Sequence, residues 1–310
     1  MTRSRLLVAT LLCALAPLSA QASEGGGSVY LQGTFNDFAV AMPLPPGVYL
    51  RNDLIRYEAE INARPLGGRA DAGLEQTLWL NMVKLSWVTD WQLLGGRYSA
   101  AMVLPLVLDV NVDARLQGPG FGTFGNGDSG GMGDPYLIPF QVNWQSGRHN
   151  TALALGVSVP VGRYDRDDKV NLGRHYWALD PNVSYSWLHE KGWELSGTAG
   201  LLFNARNPET DYRTGNEFHL DWLAAYHPAA THAFGVAGYW YHQTTDDDGG
   251  IPAFLNQGFR GRGYGLGPAF MTTLQVGEQQ LSLIGKWLHD LDSERRMEGD
   301  LLMLSVALAL

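Results

Sequence analysis

The chain has 310 residues, a formal net charge of −9, aromatic side chains at 11%, 38 glycines and one cysteine. An acidic balance of this size disfavours nucleic acid and anionic inner-membrane surfaces as partners. After the N-terminus no apolar run approaches eighteen residues, since the best, Ala100–Leu108, is interrupted by Pro105. Transmembrane helices are therefore not expected.

The chain opens with an export signal. Arg3 and Arg5 precede an apolar core, Leu6–Leu15, and Ala20-Gln21-Ala22 reads as an A-x-A cleavage site. The apolar stretch is too short to span comfortably as an anchor helix. Cys13 follows Leu12, where lipid attachment would want a small residue, so the expectation is a cleaved signal over 1–22. Removing Arg3 and Arg5 leaves 20 basic against 31 acidic residues, a net of −11. The remaining 288 residues hold no cysteine, so nothing cross-links the chain in an oxidising compartment. No linker divides them, and one domain is expected.

Residues 35–50 come next, apolar but broken by Pro43, Pro45 and Pro46. Three prolines exclude a central strand and a helix interior. The segment 23–48 is expected either to plug a barrel lumen, with Phe35, Phe38 and Met42 as its gate, or to pack as a tail on the periplasmic rim.

From residue 49 the chain becomes a series of alternating apolar and polar segments, the pattern of an antiparallel up-and-down transmembrane β-barrel. A backbone in lipid must pair every N–H and C=O within the protein, so such a sheet closes. Twelve strands are expected, near 49–62, 74–89, 93–113, 134–146, 149–161, 176–189, 192–205, 216–227, 231–244, 261–275, 279–290 and 298–310. Short connections alternate with longer polar ones, and an even count puts both termini on the short-turn, periplasmic rim. The hairpin from Tyr136 shows the alternation. Tyr136, Ile138, Phe140, Val142 and Trp144 share one face, and the return strand sets Leu153, Leu155 and Val157 against Ala152, Ala154 and Gly156. The second strand is ambiguous in phase, and no face is assigned to it. Trp87, Trp91, Trp144, Trp187 and Trp193 lie beside short turns, where an interfacial belt belongs. Leu302 to Leu310 supplies a closing stripe, although it ends in leucine rather than an aromatic residue.

Sites with chemistry are few. No G-x-S-x-G elbow is present, and His149 has no serine partner at a telling spacing. No enzyme activity, cofactor or metal is expected. Asp165, Asp167 and Asp168, and Asp246-Asp247-Asp248, fit no full calcium loop and read as solvated outer-loop residues. Gly118–Gly133 lacks the lysine and helix of a phosphate loop and reads as a mobile outer loop. The polar face of the first strand, Arg56, Glu58 and Glu60, is expected in the lumen with Asp180, Asn182, Glu217, His219 and Asp221. Twelve strands leave a narrow lumen between the filled eight-stranded barrel and the open sixteen-stranded pore.

Several stretches carry a family resemblance: Phe35 through Pro45-Pro46-Gly47 to Arg51-Asn52-Asp53; Gly133-Asp134-Pro135-Tyr136; Leu172 to Trp177 with Asp180-Pro181-Asn182; Asn207-Pro208 through Asp211 to Gly215 and Glu217-Phe218-His219; and Lys286-Trp287-Leu288-His289 with Glu298-Gly299-Asp300. Together they resemble the family named for the meta-pathway of phenol degradation, along nearly the whole chain. The resemblance implies a Gram-negative outer-membrane barrel that admits small hydrophobic or aromatic solutes by passive diffusion. Its partners would be membrane lipid, lipopolysaccharide and the barrel assembly machinery. The resemblance carries over no catalytic residue. A closed interaction barrel acting through its outer loops, and an outer-membrane lipid hydrolase, are the alternatives.

Overall fold

The computed structural model describes residues 28–63, 71–118, 121–168, 170–249 and 260–310, so the export signal expected over 1–22 lies outside them. Thirteen strands form one sheet: β1 (Gly47–Ala63), β2 (Asp71–Leu93), β3 (Gly96–Gly118), β4 (Phe121–Met132), β5 (Tyr136–Ser146), β6 (His149–Ser158), β7 (Ala178–Leu188), β8 (Trp193–Asn204), β9 (Glu217–Ala229), β10 (His232–Gln243), β11 (Arg262–Val276), β12 (Gln279–Glu294) and β13 (Glu298–Ala309). Every pairing is antiparallel, and β1 pairs with both β2 and β13. Twelve strands therefore close into a barrel. The thirteenth, β4, pairs only with the far half of β3 and extends that wall on the long-loop side. It occupies most of Gly118–Gly133, which is thus largely a strand rather than the expected mobile outer loop.

Closure joins the first and last strands of the sheet. Tyr49 faces Ala309, the register runs without a shift to Glu60 against Glu298, and Leu310 N donates to Val48 O at 2.8 Å. The connections β2–β3, β5–β6, β7–β8, β9–β10 and β11–β12 are short and lie at one rim, while the short β12–β13 connection lies at the other. Gly95, Gly147 and Gly277 adopt positive φ at the first rim, a conformation that glycine takes without a Cβ clash.

The outward face is greasy. Leu153, Val183, Leu195, Phe234, Leu266, Phe270 and Leu304 are all exposed, which is sensible only against lipid. Near the short-turn rim, Trp87 meets Trp91 edge-on at 5.6 Å and Trp193 lies 5.1 Å from Tyr226. At the other end Phe218 and Trp240 pair at 5.4 Å. Trp193 and Phe203 sit on one strand ten residues apart. At about 3.3 Å per residue and a tilt of about 40°, that separation spans about 25 Å of membrane.

Two bulges decide what faces inward. On β5, Ile138 and Pro139 together oppose one residue of β6, because proline has no N–H for the ladder. Tyr136 and Ile138 therefore face inward, while Phe140, Val142 and Trp144 follow the outward side. The single face expected for all five is split. On β3, Leu108 is an extra residue between Val107 and Asp109 in the pairing with β2. A bulge changes the alternation by one. Without it Asp109, Asn111 and Asp113 would point into the barrel; with it Val110, Val112 and Ala114 do.

The outward assignment has a direct consequence for insertion. Leu155→Arg on β6 is expected to cost roughly 2–4 kcal/mol, as a cation facing lipid does in such barrels. Ala154→Ser, on the buried face, is expected to cost far less. Urea titration of the heat-modifiable band checks both.

Candidate functional site

The lumen holds two unlike halves. Residues 28–46 fold up inside the barrel from the start of β1, and they are tied to the inner wall by buried polar groups. Asp221 on β9 accepts from Tyr30 Oη at 2.8 Å and from Gly33 N at 2.8 Å. Lys286 on β12 donates to Gly33 O at 2.8 Å and Asn36 Oδ1 at 2.9 Å. Thr198 donates to Phe35 O, Ser186 Oγ accepts from Ala41 N, and Asn143 donates to Ala41 O. Asp37 pairs with Arg51, and Glu217 accepts from Ser28. Prolines 43, 45 and 46 keep the stretch out of the sheet, so its backbone groups turn to side chains for partners.

A charged core lies behind this segment. His219 Nε2 sits 3.1 Å from Asp180 Oδ1, and Asp180 Oδ2 accepts from Tyr136 Oη at 2.6 Å. The imidazole stacks on Tyr30 at 4.6 Å and lies 4.9 Å from the Phe35 ring. Gly200 makes this packing possible, since a Cβ there would lie 2.6 Å from Asp180 Oδ1. Burial, then the charge of Asp221, pushes the Tyr30 phenol well above its usual pKa, so it remains a donor.

The other half is apolar. A cavity of about 780 Å³ lies between the segment and β2, β3 and β5. β2 contributes Leu74, Leu78, Leu80 and Met82; β3 contributes Val103, Pro105, Val107, Val110 and Val112. Phe35, Tyr57, Ile138 and Leu202 complete this surface, and that volume is in the range of small-molecule sites.

The expected lumen residues divide. Asp180, Asn182, Glu217, His219 and Asp221 are all buried on the inner face. Arg56, Glu58 and Glu60 are not: Ile55, Tyr57 and Ala59 are the buried residues of β1, and the three charged ones face outward. Arg56 pairs with Glu58 and lies over the Trp79 ring. The assumption that polar means inward fails here because this end of β1 carries its polar side chains outward at the long-loop end, while the lumen beside it is greasy. Of the proposed gate residues, Phe35 borders the cavity, Phe38 packs edge-on against His227, and Met42 is exposed. His149 is bonded to Tyr185 at 2.6 Å on the outer face. The loop acids are partnered, Asp246 by Arg260, Asp247 by Tyr212 and Asp248 by Arg206. No group of three metal-ligating side chains occurs among the described residues.

Sequence reasoning passed over Lys286, Tyr30 and Arg296. A lysine within the otherwise apolar run Leu283–Leu288 was the available signal for the first.

A closed twelve-stranded antiparallel barrel with an apolar belt and a polar-tethered segment within it is the architecture of an outer-membrane β-barrel. The chain belongs to the family described as Putative MetA-pathway of phenol degradation, whose model matches residues 62–306. Among solved structures it is similar to the COG4313 outer membrane channel from Pseudomonas putida F1, with a TM-score of 0.63, 15% identity, and coverage of 90% of this chain and 98% of that one. A Pseudomonas aeruginosa FadL homologue matches at a TM-score of 0.42 and 9% identity, over 91% of this chain and 95% of that one. No curated protein matches the chain in sequence.

Asp221 is the strongest single tether. Asp221→Ala leaves Tyr30 Oη and Gly33 N without their acceptor, at about 1–3 kcal/mol for each buried group. The variant is expected to keep its barrel but to expose the 28–46 segment to protease, measured as faster cleavage of the N-terminal stretch in detergent.

Proposed function

We propose that this protein is a channel of the Gram-negative outer membrane that admits small hydrophobic or aromatic compounds by passive diffusion. The observation that carries this reading is the apolar cavity left between the tethered segment and the β1–β3 wall. A barrel serving only as an interaction scaffold has no need of an empty greasy lumen, and filling that space with side chains would add stability. The lipopolysaccharide leaflet resists apolar solutes, so a path lined by Leu78, Leu80, Val107 and Val110 supplies what the membrane withholds. Family membership supports the same solute class.

In this reading the short-turn rim faces the periplasm, with both ends of the sheet beside it. The long loops, β4 and the outward charges Arg56, Glu58 and Glu60 face lipopolysaccharide and the medium. Barrel assembly machinery inserts the sheet. Phe35 and its neighbours form the gate; Glu217 and Asp221 hold the gate segment, His219 stacks on its Tyr30, and Asp180 and Asn182 border the cavity from β7.

Two measurements test the scheme. Deleting residues 35–44 removes no strand. It is expected to raise ion conductance in planar bilayers several-fold while lowering uptake of apolar solutes, since one wall of the cavity is lost. Wild-type values for both would make the segment a mere filler. Cysteines placed at Gly125 and Asp167 are expected to react with an impermeant maleimide on intact cells. Those at Gly147 and Lys191 are expected to react only after the outer membrane is breached; the opposite pattern would reverse the orientation.

A further inference from the structure

We propose that the cavity selects amphipathic monocarboxylates, apolar or aromatic acids whose carboxylate is held by the Arg296 guanidinium while the body lies on the β2–β3 wall. This rests on the channel reading above and names the chemical class of its solute.

The charges around the cavity are balanced where those of the whole chain are not. Its border carries five carboxylates, and each is already occupied. Asp37 and Asp53 pair with Arg51. Asp134 accepts the amides of Gly162 and Arg174 at 2.8 and 2.6 Å, Asp168 pairs with Arg163, and Asp180 serves Tyr136 and His219. Five cations border it too, Arg51, Lys84, Arg166, Arg174 and Arg296, so the site is balanced in formal charge where the chain as a whole stands at −9.

Arg296 stands apart among these cations. It lies in the short connection between β12 and β13 and turns its side chain back over the lumen. Its guanidinium carbon sits 3.7 Å from the centroid of the Tyr241 ring. Among the described residues no carboxylate lies within ion-pair distance of it. A guanidinium stacked on an aromatic face keeps its N–H fork free in the plane, and that fork matches a carboxylate bidentately. Burial works against its charge, but Tyr241, Glu217, Tyr57 and Tyr239 outweigh this and hold its pKa above the usual arginine value. The cation is therefore permanent.

Position completes the argument. Tyr57 Oη donates to Met297 O at 3.3 Å, one residue from Arg296, and Tyr57 pairs with Leu78 across β1 and β2. The free fork thus stands at the edge of the apolar wall, near the long-loop end. A solute with one anionic end and one greasy body meets both surfaces at once. A neutral hydrocarbon meets only the second.

The test compares 3-phenylpropionate with its neutral isostere 3-phenylpropionamide, titrated calorimetrically against the full-length protein in detergent with detergent blanks. Wild type is expected to bind the acid at least about tenfold more tightly than the amide. Arg296→Gln is expected to bind the two alike, and Arg296→Lys to keep most of the preference, which separates loss of charge from loss of fold. Equal affinity of wild type for both probes overturns the proposal, as does an unchanged preference for the acid in the Gln variant. Equal binding with normal conductance would leave the channel reading standing and remove only the carboxylate. Absence of binding by either probe, together with absent conductance, would remove both.

Discussion

The structure depends on one constraint: a backbone crossing lipid has no water to bond to, so the sheet must end where it begins. Twelve register pairs between β1 and β13 meet that requirement, from Tyr49 opposite Ala309 to Glu60 opposite Glu298. Once the ladder is closed, the fold no longer relies on a packed apolar interior. The outward side chains are held by lipid, and the inward ones are released for other uses. In a soluble protein a central cavity of about 780 Å³ beside buried Asp180, Glu217, Asp221 and Lys286 would be a heavy cost to stability.

That freedom is used unevenly around the barrel. β7, β8, β9 and β12 carry the polar set, and the N-terminal segment answers it with backbone N–H and C=O groups. The arrangement is economical in partners: Asp221 accepts two donors, Lys286 gives to Gly33 and Asn36, and Asp180 takes Tyr136 and His219. Each group is costly if left alone, so the set stands or falls together. On the opposite side β2 and β3 present leucine and valine, and the Leu108 bulge is what keeps Asp109, Asn111 and Asp113 out of that surface.

How much of this could be read from the sequence follows from the same asymmetry. Where the lumen is polar, alternation was legible, and Asp180, Asn182, Glu217, His219 and Asp221 were placed on the buried face from period two alone. Where the lumen is apolar the signal failed. Leu74, Leu78, Leu80 and Met82 face inward on β2 while Val83, Leu85 and Trp87 face outward, so both sides are greasy and neither phase could be chosen. That ambiguity was itself the trace of an apolar lumen. Arg56, Glu58 and Glu60 were misplaced by the converse error, since beyond the lipid belt a polar residue has no reason to point inward. Bulges at Leu108 and Pro139 were out of reach, although Pro139 within a strand is the kind of residue that marks one.

The strength of the site matters as much as its shape. An aromatic body that buries about 150 Å² on the β2–β3 wall gains about 4 kcal/mol at 25 cal/mol per Å². The cost of losing translational freedom is of the same order or larger. An apolar wall by itself therefore holds a solute weakly, which is what a path requires, because a molecule that binds too well does not leave. The buried carboxylates could easily have made a tight site, yet they are bonded to the segment and to one another's wall partners and are not offered to the cavity. Asp180, Glu217 and Asp221 are already bonded to His219, Ser28 and Tyr30. Glu217 and Asp221 keep the segment in place, so the free space lies along the greasy wall, and in the proposed channel passage along that wall breaks none of the bonds that hold the segment.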